Sequence, residues 1–115
     1  MADLTIRTIL VSVDDLDQAI DFYTNGVGLA LKFRDGDHYA ALDGGAFTLA
    51  LATAVDHPVP GEVAIAMKTD DVSVAVLQLL DKGATVLTPT HEDKHEIRAV
   101  LRDANGTALI VYAPK

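Results

Sequence analysis

Apolar and polar residues alternate along residues 5 to 13, and a helical pattern follows at once. The alternation predicts a strand, because successive strand side chains point to opposite faces of a sheet. The next apolar residues have the helical spacing i, i+3, i+4 and i+7, and they are Leu16, Ala19, Ile20 and Tyr23. The same spacing returns 56 residues later at Val72, Ala75, Val76 and Leu79. The chain therefore carries a strand-to-helix unit twice.

Three more strands are predicted after the first helix. They cover residues 29–34, 38–42 and 46–53, and Asp14 or Asp15 caps the helix, which runs to about Thr24. A proline-rich break follows at residues 54–61. The first half is thus predicted to be a strand, a helix and three strands.

The second half is predicted to repeat this order. A strand at 63–68 leads to a helix at 72–82 that Gly83 ends, and strands at 85–88, 97–102 and 108–112 complete it. We predict a single domain over residues 1–115, in which module one spans 5–53, a linker spans 54–61 and module two spans 62–113.

Composition narrows the classes of function. Half of the residues are hydrophobic but only 5% are aromatic, and the formal net charge is -8, which disfavours nucleic acid and anionic membranes. Cysteine is absent, which excludes disulfides, thiolate metal sites and cysteine nucleophiles. No apolar run is long enough for a bilayer, and Asp3 stands where a signal peptide would be basic. We expect a cytoplasmic protein.

Short motifs mark the ends of these elements. Asp14-Asp15-Leu16 opens the first helix and Asp70-Asp71-Val72 opens the second; the others are Phe22-Tyr23-Thr24 at the end of the first helix, Gly28-Leu29 and Gly83-Ala84 after the two helices, and Arg102-Asp103-Ala104-Asn105-Gly106 before the last strand. In this order, from about Ile6 to Ala113, the chain resembles the vicinal oxygen chelate superfamily, which includes glyoxalase I, extradiol dioxygenases and bleomycin-resistance proteins. The resemblance implies an α+β fold of two tandem βαβββ modules, which form a curved mixed sheet with a concave cleft.

The resemblance also marks four positions for metal ligands. In metal-dependent members each module supplies two ligands from His and Glu, one near the start of its first strand and one in its last strand. The matching positions here are Thr8, Leu49, Ala64 and Ile110. A divalent cation needs several oxygen, nitrogen or thiolate donors, and these side chains supply at most one hydroxyl. We therefore predict no metal ligands and no cofactor.

The same alternation predicts the lining of the cleft. Leu10 and Ser12 share the face of Thr8, while Ile9, Val11 and Val13 pack beneath the helix. Phe47 and Leu51 are predicted on the same face as Leu49, because each is two residues from it in the same strand. The further polar candidates are His38, Tyr39, Arg34 and Arg98, and Arg34 and Arg98 are placed at the rim. The predicted ligand-binding residues are Thr8, Leu10, Ser12, Arg34, His38, Phe47, Leu49, Ala64 and Ile110.

A competing motif lies in the second half, where residues 91–95 match the His-Glu-x-x-His pattern of zinc peptidases. That chemistry requires a helix, because only there do histidines at i and i+4 share a face. Pro89 lies just upstream and strand patterns flank the segment, so a hairpin loop is predicted. His91 and His95 remain candidates for opportunistic surface metal binding.

Two classes of function remain open. The first is a metal-free protein that sequesters a small organic molecule, either cationic or largely apolar, as the bleomycin-resistance members do. The second is an enzyme of lyase, isomerase or dioxygenase-like type that uses side chains such as His38, Tyr23 or Arg34 for proton transfer; a metal-dependent enzyme is third. Catalytic residues are left unassigned.

A homodimer is predicted, because an apolar concave face left open would be a large exposed patch. Related proteins pair modules within one chain or across two chains, and the linker permits either. The second helix is also apolar at Val74 and Leu77, outside its core stripe, so either it sits deeper than the first helix or this face meets another subunit.

Overall fold

A computed structural model describes residues 1–115 and contains eight strands and two α-helices. In chain order the elements are β1 (Thr5–Ser12), α1 (Leu16–Asp21), a π-helical turn (Phe22–Gly26), β2 (Ala30–Asp35), β3 (Tyr39–Asp43), β4 (Thr48–Ala52), β5 (Val63–Lys68), α2 (Val72–Asp81), β6 (Thr85–Glu92), β7 (Glu96–Arg102) and β8 (Ala108–Pro114). The predicted α+β class with two successive βαβββ repeats is confirmed.

Both helices begin at the aspartate pairs that the repeat marks. The Asp15 carboxylate accepts the Gln18 backbone N–H at 3.1 Å, and the Asp71 carboxylate accepts the Val74 N–H at 3.1 Å. Each bond satisfies one backbone donor that a helix start leaves without a partner. At the other end of α2, Gly83 has φ 102°, the left-handed conformation that suits glycine.

By its contacts the chain divides into two compact units, residues 8–63 and residues 1–7 with 64–115. In the first unit the strand order is β2-β3-β4-β1, with β1 parallel to β4 and the other pairs antiparallel. Helix α1 packs on one side of this sheet. The core there is formed by Leu16, Ala40, Leu42 and Leu51.

The second unit repeats the design in the order β5-β8-β7-β6, with β5 parallel to β8. Helix α2 covers one side through Val72 and Ala75, which pack on Leu101 and Val111. The N-terminal segment joins this unit because the Gln78 side-chain amide bonds both backbone groups of Ala2, at 2.9 Å each.

Two element boundaries differ from the prediction by more than two residues. The α-helical part of the first helix stops at Asp21 and continues as the π-helical turn to Gly26, where we expected a helix to about Thr24. Strand β6 continues through Pro89, which the sequence placed in a loop. A proline is tolerated there because β6 is the last strand in the order of its unit, and the pairing with β7 is irregular between Thr88 and His91.

Neither helix is long and apolar enough to cross a membrane.

Candidate functional site

The helix covers only one side of the sheet in each unit, and we call the opposite side the helix-free face. In the first unit, Thr8 lies beside Thr48 in the strand register, Leu10 beside Ala50, and Ser12 beside Ala52. The residues between them, Val11 and Leu51, pack toward α1. The structure therefore places Thr8, Leu10 and Ser12 together on this face, as the alternation predicted.

The predicted position of Leu49 is wrong by one residue. Leu49 pairs with Ile9 and packs against the core beneath α1, so it lies on the side opposite Thr8. Leu51 is fully buried in the same core. Phe47 precedes β4 in the turn, where its backbone carbonyl accepts the Gly44 N–H at 3.0 Å. A shift of one residue moves a whole strand pattern to the other face.

Three rows of side chains cross the first helix-free face. The middle row is apolar and consists of Leu10, Ala50, Ala41 and Phe33. On one side of it lie Thr8, Thr48 and Asp43, and the Lys32 ammonium donates to the Thr48 hydroxyl at 2.9 Å. On the other side lie Ser12, Ala52, Tyr39 and Asp35, and the Ser12 hydroxyl accepts the Gly61 N–H at 2.8 Å.

In the second unit, Ala64, Ala66 and Ile110 share the helix-free face, as predicted for Ala64 and Ile110. Their strand neighbours Ile65 and Met67 pack toward α2 instead. The four positions that the resemblance marks for ligands are therefore Thr8, Thr48, Ala64 and Ile110. Two hydroxyls and two aliphatic groups do not fit a divalent cation. The chain also has no group of three or more His, Asp or Glu side chains that would hold one.

A row of four polar side chains crosses the second helix-free face, and the sequence did not predict it. Lys68 on β5 lies beside Tyr112 on β8, which lies beside Arg98 on β7, which lies beside His91 on β6. Only Arg98 was named as a candidate for the cleft. The strand register brings these four residues together from positions 44 residues apart, and no local motif marks the row.

Charges around Tyr112 set its protonation state. Burial raises the pKa of the Tyr112 phenol, and the nearby Glu96 raises it further, while Arg7 opposes both effects. The Arg98 guanidinium bonds one Glu96 carboxylate oxygen at 2.6 and 2.9 Å, which neutralises both charges. Tyr112 is therefore a neutral hydroxyl that is able to donate a hydrogen bond.

A cavity of about 520 Å³ opens in the same unit. Its lining includes the cations Arg7 and Lys68 and the acids Asp3 and Asp70, with Thr5, Thr69, Ala113 and Pro114. Lys68 thus belongs both to the polar row and to the cavity wall.

Arg34 and Tyr23 lie away from the helix-free faces. Arg34 pairs with Ala40 in the register, on the α1 side of the sheet, and its guanidinium contacts the Asp17 carboxylate of α1 at 2.7 Å. Tyr23 packs partly buried against the core beneath α1, and its ring meets Phe22 edge to face at 5.1 Å. The rim position predicted for Arg34 is wrong, because its place in β2 points it toward the helix.

His38 lies in the turn between β2 and β3, where the sequence favoured an exposed hairpin residue. Its Nδ1 bonds the Asp56 carboxylate, and its Nε2 is 3.8 Å from Asp35. The hydrogen bond and charge of Asp56 raise the pKa of the His38 imidazole above its ordinary value. Arg34 lines one cavity, with Asp17 and Asp37, and Tyr23 lines another, with Phe22 and Gln18.

The Asp56 contact gives a prediction for pH dependence. Replacing Asp56 with asparagine should move the His38 titration midpoint down toward about 6.5, its ordinary value. Because the folded-state pKa is raised, the pair stabilises the fold at pH below about 6.5, and this contribution disappears as the pH rises through the folded pKa. NMR titration of the imidazole measures the midpoint. Asp81→Asn is the control, and equal midpoints in wild type and Asp56→Asn would contradict the pairing.

The histidine motif of the second half is not helical. His91 and Glu92 end β6, His95 lies in the turn, and β7 begins at Glu96. The Asp93 carboxylate accepts the backbone N–H groups of His95 and Glu96 at 2.7 and 2.9 Å, which fixes the turn. The arrangement that a zinc peptidase requires is therefore absent.

The chain belongs to the Glyoxalase/Bleomycin resistance protein/Dioxygenase superfamily, whose profile matches residues 5–111. It is similar to an uncharacterized protein from Mycolicibacterium smegmatis (strain ATCC 700084 / mc(2)155), with 46% identity over 114 residues that cover 99% of this chain and 97% of that protein. This membership confirms the resemblance inferred from the repeated aspartate pairs.

Solved structures share the fold. A superfamily member from Vibrio splendidus 12B01 superposes with a TM-score of 0.74 at 11% identity, over 96% of this chain and 99% of that one. Methylmalonyl-CoA epimerase from Mycobacterium tuberculosis superposes with a TM-score of 0.69 at 20% identity, over 96% and 87%. At these identities the likeness concerns the fold alone.

Proposed function

We propose that this chain binds a small organic molecule and that it does so without a bound metal ion. The observation that carries the proposal is the set of residues at the four marked positions. Thr8, Thr48, Ala64 and Ile110 offer hydroxyl and aliphatic groups, which suit contacts to an organic molecule and do not suit a divalent cation.

The composition of the helix-free faces supports the same proposal. In the first unit the apolar row from Leu10 to Phe33 lies between two polar rows. In the second unit Ala66, Ile110 and Val100 form an apolar row beside the polar row that contains Tyr112. Ligand sites are mostly apolar, with a few polar groups that fix orientation.

The proposed ligand is largely apolar and carries a positive charge. The apolar rows favour hydrocarbon or ring surface, and the net charge of -8 attracts cations over long distances. An enzyme that uses His38, Tyr23 and Arg34 has less support, because Arg34 and Tyr23 lie on the α1 side of the sheet while His38 bonds Asp56 from the turn between β2 and β3. The fold does not depend on disulfides, which form in oxidising compartments, and a place in the cytoplasm is part of the proposal.

The decisive experiment is native mass spectrometry of the protein purified from its own cells, followed by rebinding of whatever small molecule is released. We expect that molecule to raise the melting temperature of the stripped protein equally with and without a chelator. A stoichiometric metal, together with loss of the stabilisation in chelator, would show that the proposal is wrong.

A matched pair of phenylalanines tests the location of binding. Phe33 is 54% exposed at the end of the apolar row and Phe22 is 61% exposed beside α1, so neither contributes much to the core. Phe33→Ala should weaken binding of the released molecule about tenfold, since covering a phenylalanine contributes roughly 1.5–3 kcal/mol. Phe22→Ala should leave it unchanged. Equal effects would place the ligand elsewhere.

A homodimer is the second part of the proposal. Val74, Leu77 and Leu80 form an exposed apolar stripe along α2, at positions i, i+3 and i+6. Exposed apolar stripes on helices commonly mark contact surfaces between proteins. We propose that this stripe, which the sequence first indicated at Val74 and Leu77, packs against the same stripe of a second copy.

A further inference from the structure

The cavity of about 520 Å³ in the second unit has two cations and two acids in its wall. Arg7, Lys68, Asp3 and Asp70 all contribute to its lining, and none of them forms an ion pair with another. The two cationic and the two acidic side chains therefore line the same cavity without forming ion pairs with each other. Both signs therefore remain available to a molecule that enters the cavity.

Ion pairs form elsewhere in the protein where side chains reach each other. Arg34 contacts Asp17 at 2.7 Å, and Arg98 contacts Glu96 at 2.6 Å. Paired groups of this kind satisfy one another and offer little to a ligand. Arg7 and Lys68 differ, because each keeps its full set of charged donors for another partner.

One further hydrogen-bond donor, the Tyr112 hydroxyl, lies next to the cationic part of the cavity and outside its lining. Lys68 lies beside Tyr112 in the strand register, and Arg7 is close enough to the Tyr112 phenol to act on its charge. A neutral phenol next to two cations is a suitable donor for a carboxylate oxygen, which accepts several hydrogen bonds at once. An ammonium group needs hydrogen-bond acceptors of negative charge, and the Asp3 and Asp70 carboxylates supply them.

We propose that this cavity binds a zwitterionic small molecule of the amino acid or short peptide class. Arg7 and Lys68 hold its carboxylate, and Asp3 and Asp70 hold its ammonium group. The inference goes beyond the proposed function, because it adds a separate site within the unit of residues 1–7 and 64–115 for a ligand that carries a negative as well as a positive group. A cavity of this volume is within the range that encloses small ligands.

Three probes separate the charges of the ligand. We would titrate the protein with phenylalanine, N-acetylphenylalanine and phenylalaninamide, which carry both charges, only the negative charge and only the positive charge. Calorimetry should show phenylalanine binding at least about tenfold more tightly than either derivative, because each derivative leaves two charged side chains without a partner. Backbone NMR shifts should change at residues 3–7, 68–70 and 112–114.

Paired variants assign the charges. Arg7→Gln with Lys68→Gln should remove the preference for phenylalanine over phenylalaninamide, and Asp3→Asn with Asp70→Asn should remove its preference over N-acetylphenylalanine. Lys94→Gln and Asp81→Asn each remove one charge of the same sign outside the cavity wall and should have no effect. Both double variants and both controls should unfold cooperatively on heating, which excludes loss of the fold as the cause of any change in binding.

The result that overturns the inference is a single-charge probe that binds as tightly as phenylalanine, or no binding of any probe. The proposed function is tested separately by the molecule that co-purifies with the native protein. Failure of the phenylalanine probes therefore overturns the zwitterion site alone, and failure to find a co-purifying molecule overturns the proposed function alone.

Discussion

Replacing His57 with leucine should lower the free energy of unfolding by about 3 kcal/mol. The His57 side chain is only 3% exposed, and both ring nitrogens have backbone partners in the first unit. Its Nδ1 accepts the Val59 N–H at 2.9 Å, and its Nε2 donates to the Leu10 carbonyl oxygen at 3.3 Å. Leucine fills the space but leaves a buried donor and a buried acceptor without partners.

Graded substitutions at His57 distinguish these hydrogen bonds from packing. Glutamine retains a donor and an acceptor but does not reproduce the ring geometry, so His57→Gln should lose about half as much stability as His57→Leu. His95→Leu makes the same change at an exposed turn position and should stay within about 0.5 kcal/mol of wild type. Urea denaturation measures all three. Equal stability of His57→Leu and wild type would show that the hydrogen bonds contribute nothing.

His57 also illustrates what the sequence alone does not provide. Residues 54–61 are rich in proline and were interpreted as a linker, yet the segment supplies buried His57 and Val59 to the unit of residues 8–63. The proline content of this segment predicts where regular structure ends. It does not predict that the His57 ring forms a hydrogen bond with β1, because the partner, Leu10, is 47 residues away in the sequence.

The repeat predicted most of the fold because local rules apply at each of its parts. The aspartate pairs supply N-caps, the i, i+3, i+4, i+7 spacing supplies a core face, and alternation supplies strands. β1 was placed in the correct register because Asp14 and Asp15 fix its end nearby. Thr8, Leu10 and Ser12 accordingly lie on the helix-free face.

The register of β4 lacks such a reference point. Phe47, Leu49 and Leu51 form one alternating apolar set, which fits either side of the sheet when both sides contain apolar residues. The structure selects the side beneath α1, and Thr48 takes the position beside Thr8. The four positions still do not fit a divalent cation, because two neutral threonine hydroxyls do not replace the several His or Glu donors that such a site needs.

The sequence did not predict the polar row of the second unit, and the reason differs from that for β4. Lys68, Tyr112, Arg98 and His91 lie on four strands, and each is an ordinary polar residue of its own strand. Their meeting depends on three cross-strand registers at once. Sequence patterns determine which face a residue occupies, whereas lateral neighbours follow only from the complete pairing.

The exposed stripe on α2 favours a second copy of this chain as its partner. Two copies related by a two-fold axis would pack their helices antiparallel, with Val74, Leu77 and Leu80 of each in contact. This orientation would bring Lys82, which follows the helix, toward Asp71, which precedes the helix of the other copy. The opposed charges and the antiparallel helix dipoles both stabilise the pair.

Leu77→Glu should therefore convert the protein from dimer to monomer. Leu77 is 67% exposed in the single chain, so the substitution has little effect on the fold, but symmetry would bury two unpaired carboxylates in the interface. Light scattering coupled to size exclusion measures the mass in solution. Val55→Glu makes a similar change at a residue that is 81% exposed outside the stripe, and it should leave the dimer intact. A wild-type monomer, or a dimer that tolerates Leu77→Glu, would show that α2 is not the interface.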